Sequence, residues 1–182
     1  SQNPLAVITA NGGGKWYNFY QESHWKQGVG YRHLLVDGTS EPLSFYQLNP
    51  EHGQSDANVE IRDAANVNVY SLKGEGNFVV LWINRSDNIN LYGFGGNAAA
   101  FAAAEGYPAG YATYTPSLIR VTDSSNFRIV NTVDYGRASG NDPVFGKGVD
   151  PNLWHAIVER QNGIETRSNV RDRPVLYMRT SP

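Results

Sequence analysis

A nine-residue unit recurs along this chain and constrains its fold more than any other feature of the sequence. It reads IRDAANVNV at Ile61–Val69, INRSDNINL at Ile83–Leu91 and VTDSSNFRI at Val121–Ile129. Each copy begins with an apolar residue, has Asn in sixth place and ends with two apolar residues separated by a polar one. The copies begin 22 and 38 residues apart, and self-similarity at such spacings is typical of a stacked repeat protein.

A weaker fourth copy, VERQNGIET at Val158–Thr166, has Gly in place of the Asn. Asn and Gly enter left-handed backbone conformations at low cost. We therefore predict a positive φ at the sixth residue of every copy: Asn66, Asn88, Asn126 and Gly163. Alternating β-branched residues make each copy a strand, a turn and a second strand. An earlier unit at Glu41–Phe45 has Pro42 in the Asn place, so its turn must differ, because proline cannot adopt a positive φ.

The composition favours strands and turns and argues against several classes of partner. The chain has 19 Gly, 9 Pro and a single Met. Its net charge is −2 and its basic residues are scattered, so no nucleic-acid partner is expected. No apolar run approaches the ~20 residues that span a bilayer, so no membrane partner is expected. The chain has no Cys and hence no disulfide. The triplet Asn84-Arg85-Ser86 is a glycosylation sequon.

The loops between copies differ in length. The loop after the first copy is short, at residues 72–77, whereas those at 93–115 and 134–152 are long, and the spacings of the copies that they join exceed 22 residues by 16 and 15. Both extra lengths enter at the same place in the unit, and insertions in repeat proteins lie on one face, often the binding face. The Ala-rich stretch Asn97–Glu105 predicts one short helix within the first long loop.

The repeated unit at a 22-residue spacing resembles the right-handed parallel β-helix of the pectate-lyase-like superfamily. That superfamily includes polysaccharide lyases, polygalacturonase-type hydrolases and family 55 β-1,3-glucanases, and the likeness covers about residues 41–170. It implies an all-β solenoid of roughly 22-residue rungs with long loops on one edge, forming one domain over residues 1–182. Irregular first rungs are expected at 1–57, regular rungs at 58–170 and a closing strand at 171–182. The domain is a candidate for the C-terminal portion of a longer β-helix.

The resemblance implies a polysaccharide or oligosaccharide as partner, with a further β-helix portion or chain as a second candidate partner. It also implies an extracellular or cell-surface location. It carries over no catalytic residues, because the Asn-Thr-Asp, Asp-Asp and Gly-His-Gly sequences of polygalacturonases are absent, as is a lyase pattern of calcium-binding aspartates. A glycoside hydrolase is favoured over a lyase, and the alternative is a non-catalytic polysaccharide-binding, adhesin or tailspike-like module.

Two neighbouring loops hold the candidate catalytic groups. Glu51, His52 and Asp56 share one loop, and Lys73 and Glu75 fall on the next. Neighbouring strands lie about 4.8 Å apart, so Glu51 and Glu75 match the carboxylate separation of a glycoside hydrolase. The competing interpretation is that these loop charges are simply solvated. A hydrolase of this kind needs no cofactor.

A lyase would use different chemistry. Its base would be Lys73, Arg85, Arg137 or His52, which would abstract the proton next to a uronate carboxyl. Calcium would be a candidate cofactor that neutralises that carboxyl. For Arg85, which aligns with Asp63 and Asp123 in the repeat, the competing interpretation is an ion pair with an aspartate of a neighbouring copy.

Aromatic and polar residues outside the repeat are the candidate substrate contacts. They are Tyr107, Tyr111, Tyr114, Asp134, Arg137 and Trp16. Tyrosine and tryptophan combine an apolar ring with a polar tip that suits a sugar. No metal site is predicted, because His24, His33 and His155 have no metal-ligand spacing.

Overall fold

The structure, a computed structural model, describes residues 3–23, 27–98, 100, 115–134, 154–169, 172 and 174–181. These residues form thirteen β-strands and no α-helix, and none of them belongs to a helix able to span a membrane. The strands are β1 Ala6–Thr9, β2 Gly14–Glu22, β3 Leu34–Asp37, β4 Leu43–Glu51, β5 Val59–Arg62, β6 Ala65–Lys73, β7 Leu81–Asn84, β8 Asp87–Gly96, β9 Ser117–Thr122, β10 Ser125–Asp134, β11 His155–Gln161, β12 Ile164–Asn169 and β13 Leu176–Arg179. The predicted short helix within 97–105 falls mainly outside the described residues.

The chain alternates between two sheets. A seven-stranded sheet has the order β1-β3-β5-β7-β9-β11-β12, and a six-stranded sheet has the order β13-β10-β8-β6-β4-β2. Neighbouring strands are parallel, except that β12 pairs antiparallel with β11 and β13 pairs antiparallel with β10. Both sheets are therefore mixed. Each begins with a parallel edge strand, β1 or β2, and ends with an antiparallel one.

Equivalent residues of the first three copies lie side by side. Ile61 pairs with Ile83, which pairs with Val121, and all three are almost fully buried. In the other sheet Val69 pairs with Leu91, and Leu91 with Ile129. Apolar side chains of both sheets belong to one core cluster, so burial of these alternating positions fixes the register of the strands.

Left-handed residues turn the chain from one sheet to the other. The φ angle is 62° at Asn66, 53° at Asn88, 49° at Asn126 and 80° at Gly163, which confirms the predicted conformation at the sixth place. A second left-handed residue, which the pattern does not predict, occupies the third place of the first three copies: Asp63, Arg85 and Asp123. The Asn side chains also bond to one another, since Asn88 Nδ2 donates to Asn66 Oδ1 at 2.8 Å.

The predicted uniform right-handed β-helix is corrected by the two mixed sheets and above all by the fourth copy. Strands β11 and β12 form an antiparallel hairpin in which Gln161 pairs with Ile164. Its two-residue loop is Asn162-Gly163, with φ angles of 49° and 80°. Two consecutive left-handed residues make the tight turn that suits a hairpin. The chain therefore folds back within one sheet here, instead of crossing to the other sheet as the first three copies do.

The long strands of the six-stranded sheet bend in the middle. Each has one left-handed residue at the same level: Asn18, Gln47, Ser71, Gly93 and Asn131. Tyr46 and Leu48, on either side of the bend in β4, pair with Tyr70 and Leu72 in β6, so the register continues through the bend. The carboxyl ends of β2, β4 and β6 consequently remain next to one another.

Candidate active site

Five charged or titratable side chains meet at the carboxyl ends of three neighbouring strands. Glu22 ends β2, Glu51 ends β4 and Lys73 ends β6, and Glu22 pairs in register with Glu51. His52 follows β4 with a φ of 57°, and its N–H donates to the Glu75 carbonyl at 3.0 Å. That left-handed turn directs the chain after β4 toward Glu75. Parallel pairing thus brings residues that are distant in sequence to one edge.

Lys73 bridges two of the carboxylates. Its Nζ lies 2.5 Å from Glu51 Oε1 and 2.8 Å from Glu75 Oε1. The Glu51 side chain is only 5% exposed, whereas that of Glu75 is 27% exposed. Partial burial disfavours the charged ammonium, but the hydrogen bonds to both carboxylates outweigh it and raise the pKa of Lys73. The two carboxylates therefore share a counter-charge but differ in access to solvent.

His52 lies between the other carboxylate pair. Its Nε2 is 3.6 Å from Glu75 Oε2 and 3.7 Å from Glu22 Oε1. The second oxygen of Glu22 accepts a hydrogen bond of 2.5 Å from the Tyr20 hydroxyl, and that bond raises the pKa of Tyr20. These contacts link the groups in the order Glu22, His52, Glu75, Lys73 and Glu51, which we call the charge row. Its two ends also lie close together, since ligand atoms of Glu22 and Glu51 are within 4.8 Å of each other.

A buried histidine supports this row from behind. His33 is fully buried, and its Nε2 lies 3.0 Å from the Glu51 carbonyl while its Nδ1 lies 2.8 Å from the Tyr31 hydroxyl. A neutral ring with its proton on Nε2 satisfies both contacts. Burial lowers the pKa of His33 to about 4. His33 is thus a neutral support for the backbone at Glu51.

Three of these residues form a possible donor set for a metal ion. One ligand atom from each of Glu22, Glu51 and His52 lies within 4.8 Å of the other two. Carboxylate and imidazole donors suit a divalent transition metal. In the present arrangement the Lys73 ammonium supplies the positive charge at Glu51.

The candidate function of this cluster rests on its own chemistry. No protein-family model, curated protein or solved structure matches the chain. An imidazole and an ammonium placed among three carboxylates can exchange protons and can hold two carboxylates on either side of a bond to be cleaved.

The structure brings together four of the five residues predicted as catalytic, namely Glu51, His52, Lys73 and Glu75. Asp56 lies elsewhere, in a salt bridge with Arg32, and accepts a hydrogen bond from the Gly30 N–H at 3.3 Å. Burial alone would raise the pKa of Asp56, but the hydrogen bonds, led by that from Arg32, lower it. Asp56 therefore pairs with Arg32 and ties its loop to Gly30.

The sequence interpretation missed Glu22 and Tyr20. Both lie on β2, which precedes the clear copies of the repeat and shares none of its pattern. The available signal was positional, because β2 and β4 both end in Glu before a polar loop. The sequence does not show that these two Glu residues are neighbours, and the pairing of Glu22 with Glu51 in the structure does.

The predicted substrate contacts are mostly outside the described part of the chain. This holds for Tyr107, Tyr111, Tyr114 and Arg137, and for the side chain of Asp134. Trp16 lies near the start of β2, at the opposite end of that strand from Glu22, with its ring 6.3 Å from that of Phe45. It therefore does not adjoin the charge row.

Arg85, a candidate base for a lyase, is held in an ion pair. Its Nε and Nη2 atoms donate to the two oxygens of Asp63 at 2.8 and 2.6 Å. This is the structural role that the alignment of the repeat predicts for Arg85. The pair joins the third place of the first copy to the third place of the second.

A ladder of four tyrosines crosses the outer face of the six-stranded sheet. Tyr17, Tyr46, Tyr70 and Tyr92 stack with ring centroids 5.0, 5.0 and 5.1 Å apart and nearly parallel planes. The sequence signal was a Tyr directly after the first and second copies of the repeat. Tyr17, Tyr70 and Tyr92 of this ladder are exposed.

Proposed function

We propose that this protein is a glycoside hydrolase that cleaves a polysaccharide with Glu51 and Glu75. The supporting observation is the bridging ammonium of Lys73, 2.5 Å from Glu51 Oε1 and 2.8 Å from Glu75 Oε1. At these two distances from the same nitrogen, the two oxygens are at most about 5.3 Å apart. Retaining glycosidases have their two carboxyl groups about 5–5.5 Å apart, whereas inverting enzymes need a larger gap for a water molecule.

The exposure and contacts of Glu51 and Glu75 indicate which is the nucleophile and which is the acid/base. Glu51 is buried and ion-paired, so we assign it as the nucleophile that attacks the anomeric carbon. Glu75 is more exposed and adjoins His52, so we assign it as the group that protonates the leaving oxygen and then deprotonates the attacking water. Because the Lys73 ammonium lies between the carboxylates, a sugar reaches both only after the half-exposed Lys73 side chain rotates away from one of them.

The first experiment is hydrolysis of a polysaccharide panel, monitored by reducing-sugar release and by absorbance of unsaturated products. Reducing sugar without that absorbance supports a hydrolase, and unsaturated products would identify a lyase instead. NMR of the first product is expected to show the anomeric configuration of the substrate. An inverted product would contradict the assignment of Glu51 as nucleophile.

Matched glutamine variants test the residues. Glu51→Gln and Glu75→Gln are each expected to lower kcat at least 100-fold, whereas Glu41→Gln, a change at an exposed turn, leaves it unchanged. Full activity in both Glu51→Gln and Glu75→Gln would refute the proposed pair. Melting temperatures of all three variants separate loss of chemistry from loss of fold.

A second candidate function is polysaccharide binding without cleavage, and the tyrosine ladder favours it. Its hydroxyls recur with the strand spacing on an exposed face, and aromatic residues with polar tips suit sugar contacts. Retention on an insoluble polysaccharide that persists in Glu75→Gln but is lost in a Tyr70→Ala/Tyr92→Ala variant would support this function. Retention unaffected by the tyrosine changes would exclude the ladder as the binding surface.

A further inference from the structure

The edge strand β2 is unusually exposed for a strand with so many aromatic residues. Tyr17 is 65% exposed and Tyr20 is 57% exposed, and Trp16 is also exposed. Among the described residues β2 pairs only with β4, so these residues provide no strand partner for the backbone N–H and C=O groups on its other side. A long edge strand with exposed apolar side chains is a template for pairing with another chain.

The opposite edge strand of the six-stranded sheet is β13. It pairs antiparallel with β10, and Tyr177 stacks on Phe127 with ring centroids 6.2 Å apart. The Tyr177 hydroxyl donates to Glu159 Oε2 at 2.7 Å, and Arg179 forms a salt bridge with the same carboxylate. Both β2 and β13 are therefore edge strands, and β2 is the longer of the two, with nine residues against four.

The sequence of β2 is complementary to itself. We propose that β2 of one copy pairs antiparallel with β2 of a second copy around a twofold axis between Asn18 and Phe19. In that register Lys15 of each copy faces Glu22 of the other, and Tyr17 faces Tyr20. Opposite charges and aromatic pairs directly across an antiparallel pair are favourable. A twofold interface requires such reciprocal contacts.

The faces of the sheet agree with this register on both sides of the axis, but not at the axis itself, where the exposed Asn18 would face Phe19, which packs against the core. Tyr17 pairs with Tyr46, which is on the outer ladder, and Trp16 pairs with the buried Phe45. Residues opposite each other in a sheet share a face, so Tyr20 of the second copy would extend the ladder beyond Tyr17. Trp16 would face Gln21 and be covered on the core side.

The proposed dimer also reaches the candidate active site. Glu22 ends β2 and lies 3.7 Å from His52 Nε2, so the Lys15 ammonium of the second copy would enter the charge row beside it. This inference rests on the complementarity of β2 and not on the proposed function. It can therefore hold for a hydrolase and for a binding protein.

Charge reversal tests the pairing through molecular mass. Sedimentation velocity of the full chain is expected to show a species of twice 20.1 kDa. Lys15→Glu and Glu22→Lys should each be monomeric, and the double variant should recover the dimer. Arg128→Glu, which reverses a charge on the outer face of β10, is the matched control and is expected to remain dimeric.

Disulfide cross-linking can detect the proposed dimer even when its affinity is too low for sedimentation velocity. The chain has no Cys, so a Tyr17→Cys/Tyr20→Cys variant introduces the only thiols. Residues three apart in one strand are about 10 Å apart, too far for a bond within one copy. Oxidation is expected to give a covalent dimer, and Tyr46→Cys/Tyr20→Cys is the control that does not. A monomeric wild-type protein together with a Tyr17→Cys/Tyr20→Cys variant that does not cross-link would overturn the proposal and identify Lys15 as a residue that prevents edge pairing.

Discussion

Lowering the pH from 7.5 to 4.5 is expected to remove about 2.5 kcal/mol of folding stability through His33 alone. Burial lowers the pKa of this side chain from 6.5 to about 4. The unfolded chain therefore binds a proton near pH 6.5 that the folded protein does not accept until about pH 4. Stability from His33 is present above pH 6.5 and is lost as the pH falls toward 4.

Burial, and not the hydrogen bond to Glu51, lowers the pKa of His33, because that hydrogen bond favours the protonated ring. Both ring nitrogens already have partners, the Glu51 carbonyl at 3.0 Å and the Tyr31 hydroxyl at 2.8 Å. A charged ring would remain buried without a carboxylate in hydrogen-bond contact among the described residues. The charge would therefore lose hydration without a compensating ion pair.

Urea unfolding at the two pH values, followed by circular dichroism, measures the effect. The control is His33→Gln, which cannot titrate and has an amide nitrogen able to donate to the Glu51 carbonyl. Burial also lowers the pKa of His155, but that residue is present in both proteins and cancels in the difference. Equal losses of stability in wild type and variant, within about 0.5 kcal/mol, would refute the assignment to His33.

Three further predictions concern backbone and surface. Asn66→Ala is expected to lose about 1–2 kcal/mol more stability than Asn66→Gly in urea unfolding, because φ is 62° there and both variants lose the same side-chain bonds. Gly96→Ala places a Cβ 2.0 Å from the Gly74 carbonyl oxygen and is expected to lower the melting temperature far more than Gly93→Ala, which meets no atom within 4 Å. The Asn84 sequon is expected to carry no glycan when the chain is secreted from eukaryotic cells, since Asn84 is 6% exposed, and intact mass would show any occupancy.

The repeat predicts the left-handed turns well because their cause is local. Any L-residue at the sixth place must tolerate a positive φ, and Asn and Gly do so most easily. The same logic misread the fourth copy, where Gly163 follows a second left-handed residue, Asn162. In the first copy Asp63 and Asn66 are separated by two residues, which carries the chain across to the other sheet. Two adjacent left-handed residues reverse the direction of the chain within one sheet instead. The Asn162-Gly163 pair was the sequence signal for this hairpin.

The site was less predictable, because it depends on pairing between strands that are distant in sequence. Glu51 and Glu75 were found since neighbouring strands of the repeat place them close together. Glu22 was not, because nothing in the sequence gives the register of β2 against β4. Asp56 shares a loop with Glu51, but a buried carboxylate needs a charged partner. Arg32 is that partner, so Asp56 turns toward Arg32 and not toward Glu51.

The position of β2 divides the candidate site into a fixed part and an adjustable part. Glu51 and Lys73 end strands that pair on both sides, whereas Glu22 and Tyr20 lie on β2, which pairs on one side only within the described part of the chain. Opening an edge strand costs less free energy than opening an interior strand. The Glu51–Glu75 pair is therefore expected to keep its geometry while the carboxylate on the far side of His52 moves. Pairing of β2 with a second copy would remove that freedom, so the ordering of Glu22 beside His52 would depend on protein concentration.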